Sequence, residues 1–158
     1  MESLQLDPTG TLRQFDRARR TAIARQFQDI PLQDPAQHFL LITIYMLSRS
    51  GADPGQRDLV KKTERSPATV TASLKVLERE GLIRRYVDEK DQRINRVALT
   101  GQGLALAEES LRRMRSLEEA MFRGFTETEL RQFSALFEKI IQNLSVPEGT
   151  EKEAPSVE

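Results

Sequence analysis

Residues 55–100 have the sequence GQRDLVKKTERSPATVTASLKVLEREGLIRRYVDEKDQRINRVALT, and this stretch decides the fold. Its first part, Gln56–Lys62, has the pattern of a short helix. Ser66-Pro67 is a helix start, because serine caps helices and proline is favoured at the first helical position. A second helix is therefore predicted over Pro67–Glu80, and Gly81 follows as the glycine that ends it.

After this glycine the periodicity changes from helical to alternating. Ile83–Val87 and Ile94–Leu99 are short and rich in β-branched residues, and the polar segment 88–93 separates them. This pattern predicts a β-hairpin with a charged tip. Two helices followed by a hairpin are the order of a winged helix-turn-helix domain, in which the second helix enters the major groove and the hairpin reaches the minor groove or the phosphates.

The segments on either side have helical periodicity. An amphipathic helix is predicted over 12–30 and ends before Pro31, whereas Asp34-Pro35 opens a central helix that continues to Ser48. Thr100 caps a long helix that ends near Gly124, and the capping box at 126–129 opens a last helix. The first helix and the last two have apolar stripes without a second layer to cover them, so another copy of the chain is their expected cover.

The expected fold is therefore mainly α with a small β-hairpin wing. A winged helix-turn-helix domain is flanked by N- and C-terminal dimerisation helices. The expected organisation is an N-terminal dimerisation helix in 1–33, the DNA-binding domain in 34–100 with its wing at 83–99, C-terminal dimerisation helices in 101–146, and a disordered tail in 147–158.

Composition excludes several classes of site. Among 158 residues there are no cysteines and one histidine, so the usual zinc, iron–sulfur and disulfide sites cannot be built, nor can a cysteine-based oxidant sensor. No nucleophile–base pair or phosphate loop is present, and neither an enzyme nor a cofactor or metal is expected. The first ten residues lack a signal-peptide pattern and no apolar run could span a bilayer, so a cytoplasmic protein without a membrane partner is expected.

The chain has 24 basic and 24 acidic residues, but they are unevenly distributed. Residues 55–100 have eleven Lys and Arg against seven Asp and Glu, a net +4, whereas residues 101–158 have seven against eleven, a net −4. Because DNA attracts local positive charge, overall neutrality does not count against a nucleic-acid partner.

The segments Gln56–Leu59, Ser66–Thr71, Leu77–Arg85, Asp88–Arg93 and Leu99-Thr100 resemble the MarR family of bacterial transcriptional regulators. The resemblance implies a homodimer that binds a pseudo-palindromic site in double-stranded DNA. It also implies that a small aromatic or anionic effector binds between the dimer helices and the DNA-binding domain. The chain departs from the family pattern at Thr63-Glu64-Arg65, where glycine between apolar residues is common, and at Ala72, where arginine is frequent.

The candidate DNA-binding residues lie in the second helix and the hairpin. The resemblance assigns Arg93 to the minor groove and Asp91 to its orientation. Lys75 could reach guanine or a phosphate, threonine and alanine methyls suit thymine, and the helix start at Ser66 could bind a phosphate. The full set is Ser66, Ala68, Thr69, Thr71, Ala72, Lys75, Arg85, Asp91, Arg93 and Arg96, with phosphate contacts expected from Arg85 and Arg96.

Other residues have a functional and an ordinary interpretation. His38, Tyr45, Met46 and Arg49 are candidates for an effector cleft. A lone histidine at a helix start is more often a surface or capping residue, and Tyr or Met at helical spacing is more often core. Solvation is the expected role of Arg13, Arg17 and Arg20 in the first helix and of the acidic pairs Glu108-Glu109 and Glu118-Glu119.

The function that follows is a dimeric, sequence-specific DNA-binding transcriptional regulator, with repression and release by a small-molecule effector as its expected mode. The alternative is a winged-helix protein-interaction module that does not bind DNA. The reason to consider it is that Glu64 and Ala72 depart from the family pattern.

Overall fold

The computed structural model describes residues 7–30, 32 and 34–145, and the disordered tail predicted for 147–158 lies outside them. The fold is mainly helical with one antiparallel hairpin, which confirms the predicted class. Its elements are α1 (Pro8–Phe27), α2 (Pro35–Ser48), α3 (Gln56–Thr63), α4 (Pro67–Arg79), β1 (Ile83–Val87), β2 (Asn95–Leu99), α5 (Gly101–Met121) and α6 (Glu127–Ser145). The chain divides into two compact units, one ending at Glu118 and the other beginning at Glu119.

The predicted bounds of the first helix were wrong at both ends. α1 begins at Pro8 because the carboxylate of Asp7 accepts a hydrogen bond from the backbone N–H of Gly10 at 2.8 Å, and proline occupies the first position. The helix ends at Phe27, before the predicted Ile30. The same Asp-Pro signal begins α2, and Asp34 caps that helix as predicted.

The core of the first unit surrounds α2. Leu41 and Ile44 on this helix are fully buried, together with Leu59 of α3 and Leu74 and Leu77 of α4. The predicted central position of α2 is therefore confirmed. Packing of the apolar faces of α3 and α4 against α2 fixes the position of α4, whose opposite face remains exposed.

The hairpin is attached to the connection between α2 and α3. Its strands pair in antiparallel register from Ile83 opposite Leu99 to Val87 opposite Asn95. On its other edge, β2 forms a bridge from Arg96 to Gly55, and the N–H of Val97 donates to the carbonyl of Pro54 at 2.9 Å. The wing is therefore held against the fold by backbone hydrogen bonds on both sides of β2.

The start of α5 closely approaches the turn between α4 and β1. Thr100 caps α5 as predicted, since its hydroxyl accepts from the N–H of Gly103 at 3.0 Å. A Cβ atom at Gly103 would lie 1.8 Å from the carbonyl oxygen of Leu82, so only glycine fits there.

The second unit contains the end of α5 and α6. The capping box predicted for 126–129 is present, because Thr126 and Glu129 exchange side-chain to backbone hydrogen bonds of 2.8 and 3.3 Å. Phe133 packs against the rings of Phe122 and Phe137. No residue of α6 is buried, and Leu136, Ile141 and Leu144 are more than half exposed. No helix within the described residues is long and apolar enough to cross a membrane.

Candidate nucleic-acid interface

The exposed face of α4 contains most of the predicted base-contacting residues. Ser66 caps the helix, with its hydroxyl accepting from the N–H of Thr69 at 3.1 Å. Ala68, Thr69, Ala72 and Lys75 are exposed. The structure therefore brings these five residues onto one accessible surface that runs from the helix start to Lys75.

Thr71 differs from its neighbours because its hydroxyl is already engaged. It donates to the carbonyl of Pro67 at 2.7 Å and accepts from the side-chain amide of Gln56 at 2.6 Å. This contact joins the first residue of α3 to α4. The half-buried Thr71 can offer its methyl group to a base, but its hydroxyl has a structural role in packing the two helices.

Arg93 is exposed at the tip of the hairpin, as the resemblance implied. Asp91 contacts it through the backbone: its carboxylate accepts from the N–H of Arg93 at 3.0 Å. The hydrogen bond from Asp91 therefore fixes the turn from which Arg93 projects and involves no atom of the guanidinium.

Arg96 is bound within the protein rather than displayed. Its Nε donates to the carboxylate of Asp88 at 2.6 Å, and its Nη1 donates to the backbone carbonyl of Asp53 at 2.8 Å. The guanidinium and the N–H groups of Asp91 and Lys90 hold the pKa of the Asp88 carboxyl at about 2. Two of its donors are therefore used within the protein, and the phosphate contact expected from Arg96 stays a prediction.

Arg85, the other arginine with a predicted phosphate contact, also packs within the fold. It lies opposite Val97 on the hairpin, and its Nε is 3.2 Å from a carboxylate oxygen of Glu78 on α4. Its Nε and Nη2 are buried without a hydrogen-bond partner among the described residues. This arginine packs between the hairpin and α4, and the strand alternation that directs it inward was overlooked at the sequence level.

A cavity of about 970 Å³ lies between the wing, α3 and Pro67 at the start of α4. Arg57 and Lys61 of α3 line it, opposite Arg93 and Arg96 of the wing. Sequence reasoning missed Arg57 and Lys61, although their spacing of four residues places both on one face of α3. Asp58 and Asp91 also line the cavity, so acidic and basic side chains share its lining.

The four effector candidates have different environments, and none of them lines this cavity. His38 is 1% exposed, so the surface or capping role expected for it was wrong. Tyr45 is half-buried against the core, with the guanidinium of Arg49 5.8 Å from the centre of its ring. Met46 is 46% exposed, contrary to the core position expected for a methionine at this spacing.

The remaining charged candidates are in ordinary surroundings. Arg13, Arg17 and Arg20 are exposed on α1, where Arg20 pairs with Asp16. On α5, Glu109 pairs with Arg112 and Arg113, and these hydrogen bonds lower the pKa of its carboxyl. Within residues 7–30, 32 and 34–145, no group of three or more histidine or acidic side chains is placed to hold a metal ion.

Residues 35–94, from the start of α2 to the wing tip, match the model of the MarR family. The match confirms the resemblance to the MarR family over this region of the chain. An uncharacterised HTH-type transcriptional regulator, YwhA of Bacillus subtilis (strain 168), is 31% identical over 86 residues. The match covers 54% of this chain and 62% of that relative, so the chain spans less than two thirds of the relative's length.

Solved structures of Staphylococcus aureus MepR have the same fold as this protein. MepR in a complex with DNA superimposes with a TM-score of 0.76 at 24% identity, covering 88% of this chain and 99% of MepR. MepR bound to ethidium bromide gives a TM-score of 0.61 at 25% identity, covering 90% and 99%. The likeness extends beyond the family match to most of the helices that flank the winged domain.

Proposed function

We propose that this protein is a homodimeric transcriptional regulator of MarR type that binds a pseudo-palindromic site in double-stranded DNA. One observation carries the proposal: Arg57, Lys61 and the exposed wing-tip Arg93 line a cavity that also reaches Pro67, the first residue of α4, and the turns of α4 that follow have an exposed face. The spacing of a helix and a wing around such a groove suits a duplex backbone that passes between them.

Each part of the surface has a separate role in this proposal. The start of α4 enters the major groove, where Ala68, Ala72 and the methyl of Thr71 contact thymine methyls and Lys75 reaches guanine or a phosphate. The helix N-terminus capped by Ser66 binds a phosphate through its backbone N–H groups. Arg93 enters the minor groove, and Arg57 and Lys61 bind the DNA phosphates between the two grooves.

A second copy of the chain covers the apolar face of α6. Leu136, Ile141 and Leu144 are 63%, 58% and 81% exposed, and a helix with this much uncovered apolar surface needs a partner. In a two-fold dimer the same face of both copies would be used, and two winged domains would bind two half-sites. The dimerisation helices in 101–146 and 1–33 and the DNA-binding domain in 34–100 are parts of this proposal.

Repression, with release by a small aromatic or anionic effector, completes the proposed mode of action in the cytoplasm. Phe39 and Met46 of α2 are 43% and 46% exposed and, seven residues apart, lie on one face of that helix. Arg49 near the ring of Tyr45 adds a cation one turn further along. Without cysteines the effector binds non-covalently, and it shifts the DNA-binding equilibrium only by its preference for one state over the other.

Site selection from a pool of random duplexes tests the proposal. The full chain is expected to enrich one pseudo-palindromic sequence and to bind it with affinity that falls steeply as salt increases. Arg93→Ala should weaken that binding by about 1–3 kcal/mol. Arg123→Ala removes an equal charge from an exposed position in the second unit and should leave affinity unchanged. No enriched sequence and no salt dependence would reject DNA binding in favour of a protein-interaction module.

A further inference from the structure

We propose that Arg96 positions the wing for DNA binding by holding Asp88, and does not itself bind DNA. This inference rests on the proposed function, because the positioned group is the wing-tip Arg93. Its evidence is a continuous chain of hydrogen bonds from the end of α2 to the tip of the hairpin.

The fixed end of this chain of hydrogen bonds is Asp53, in the connection between α2 and α3. Its two carboxylate oxygens accept hydrogen bonds from Ser48 Oγ at 3.1 Å and from Tyr86 Oη at 2.9 Å. Its backbone carbonyl accepts from Arg96 Nη1 at 2.8 Å. Asp53 therefore joins the last residue of α2 to both strands of the wing, and any group bound to Arg96 is anchored to the helical core.

The middle of the chain is the pair formed by Arg96 and Asp88. Their side chains are 23% and 17% exposed, so the contact is better shielded from water than an ordinary surface ion pair. One oxygen of Asp88 accepts from Arg96 Nε at 2.6 Å. The other accepts from the backbone N–H groups of Lys90 and Asp91 at 2.8 and 2.9 Å, which shapes the turn at the tip.

The last link reaches Arg93. Once Asp88 has fixed the backbone at residue 91, the Asp91 carboxylate accepts from the N–H of Arg93 at 3.0 Å. Both carboxylates bind backbone N–H groups, so the chain restricts the path of the tip and leaves the Arg93 guanidinium exposed. A turn ordered before binding reduces the conformational entropy lost when its arginine enters a groove.

Two substitutions separate positioning from direct phosphate binding. Arg96→Lys keeps the positive charge but cannot donate from two nitrogens to Asp88 and to the Asp53 carbonyl together, so a phosphate ligand would tolerate it and a positioning residue would not. Asp88→Asn removes a negative charge from the wing, which by charge alone would strengthen DNA binding. If Arg96 orders the wing tip through Asp88, then Asp88→Asn weakens DNA binding instead.

The first measurement needs no DNA. Hydrogen–deuterium exchange on the full chain is expected to show at least about tenfold faster exchange at residues 90–94 in both variants, with the amides of α2 unchanged. Glu89→Gln is the matched control, because Glu89 is an exposed acid of the same turn and makes none of these hydrogen bonds. Equal exchange in wild type, Arg96→Lys and Asp88→Asn would overturn the inference, whether or not the protein binds DNA.

The second measurement uses the duplex recovered by site selection. Arg96→Lys and Asp88→Asn are each expected to weaken binding by about tenfold, the effect of one lost charge-assisted hydrogen bond, whereas Glu89→Gln should bind equally or more tightly. In an Arg93→Ala background, Asp88→Asn should no longer weaken binding. Wild-type affinity in Arg96→Lys, or tighter binding by Asp88→Asn, would overturn the inference. Failure of the wild type to bind any duplex would reject the proposed function, and the exchange experiment would still decide whether Arg96 orders the wing.

Discussion

His38 of α2 and Ser110 of α5 form a buried hydrogen bond, with 2.9 Å between Nδ1 and Oγ. The other ring nitrogen, Nε2, is 2.9 Å from the carbonyl oxygen of Leu32. Since a carbonyl only accepts, Nε2 carries the proton and Nδ1 accepts from the serine hydroxyl. The neutral imidazole therefore joins α2, α5 and the connection after α1, and the ring of Phe27 packs 4.3 Å from it.

This arrangement predicts that the protein loses stability as the pH falls through about 6.5. Burial lowers the pKa of His38, and the positive charge of Arg113 adds to the effect. The unfolded chain therefore binds a proton at a higher pH than the folded chain, which makes the free energy of unfolding decrease on acidification. Urea unfolding between pH 8 and pH 5 measures this dependence, and no other histidine contributes to it.

The control for this prediction is His38→Gln, which cannot titrate. We expect it to be less stable than wild type at pH 7.5 by about 1–3 kcal/mol, because buried hydrogen bonds are lost. Its stability should vary less between pH 7.5 and pH 5.5. An equal pH dependence in both proteins would contradict the assignment to His38.

Gly103→Ala is expected to destabilise the first unit by about 1–3 kcal/mol or more, because the added methyl would overlap a backbone atom that cannot rotate away. The new carbon would lie 1.8 Å from the carbonyl oxygen of Leu82, which itself accepts from the N–H of Thr100 at 3.0 Å. Gly101→Ala, two residues earlier in α5, has no atom within 4 Å of its added carbon and should have little effect or be slightly stabilising. Equal urea midpoints for the two variants would contradict this account of the close approach.

Asp29→Asn should reduce the sensitivity of the fold to acid. Asp29 accepts from Arg113 Nη2 at 2.9 Å, and this contact, followed by a backbone hydrogen bond, lowers the pKa of its carboxyl to about 2. The ordinary value is 3.8, so the stabilisation is complete above that pH and is lost as the pH falls from about 4 towards 2.

Thermal unfolding from pH 6 to pH 3 tests this prediction. Wild type should lose stability more steeply at the acid end than Asp29→Asn. Glu119→Gln removes an exposed acid from the second unit and is the charge-matched control. Its thermal stability should fall towards pH 3 as steeply as that of wild type. A steeper acid loss in Asp29→Asn than in wild type would show that another group dominates.

The parts of the fold that could be predicted are those with local signals. Ser66 caps α4, and the start of the hairpin at Ile83 follows directly from Gly81, because a cap and a left-handed glycine act within a few residues of themselves. The start of α1 could also have been predicted, since Asp7-Pro8 is the same signal as Asp34-Pro35. It was missed because its first turn has no apolar periodicity.

The roles of Arg85, Arg96 and His38 depend on distant partners. Arg96 binds a carbonyl 43 residues earlier in the chain, and His38 binds a hydroxyl 72 residues later. Alternation along a strand predicts two faces, but only the packed fold decides which face meets α4 or the connection before α3. Charge in the wing predicted phosphate contacts for Arg85 and Arg96, and the resemblance implied a groove contact for Arg93. In the structure Arg85 and Arg96 make contacts within the fold, and Arg93 is exposed.

Glu64 provides the final prediction, because it adopts a conformation that favours glycine. At the end of α3 its φ and ψ are 54° and 25°, in the left-handed region, so the turn before α4 keeps the shape suited to the glycine that is common in the family. A residue with a Cβ atom is strained there by roughly 1–2 kcal/mol, part of which glycine loses again through its greater freedom in the unfolded chain. Glu64→Gly is therefore expected to raise the free energy of unfolding by about 0.5–1 kcal/mol. Glu64→Gln removes the same charge but keeps the Cβ atom, so it should give no such gain in urea unfolding. If both variants stabilise the protein equally, the charge of Glu64 and not its backbone conformation is the source of the effect.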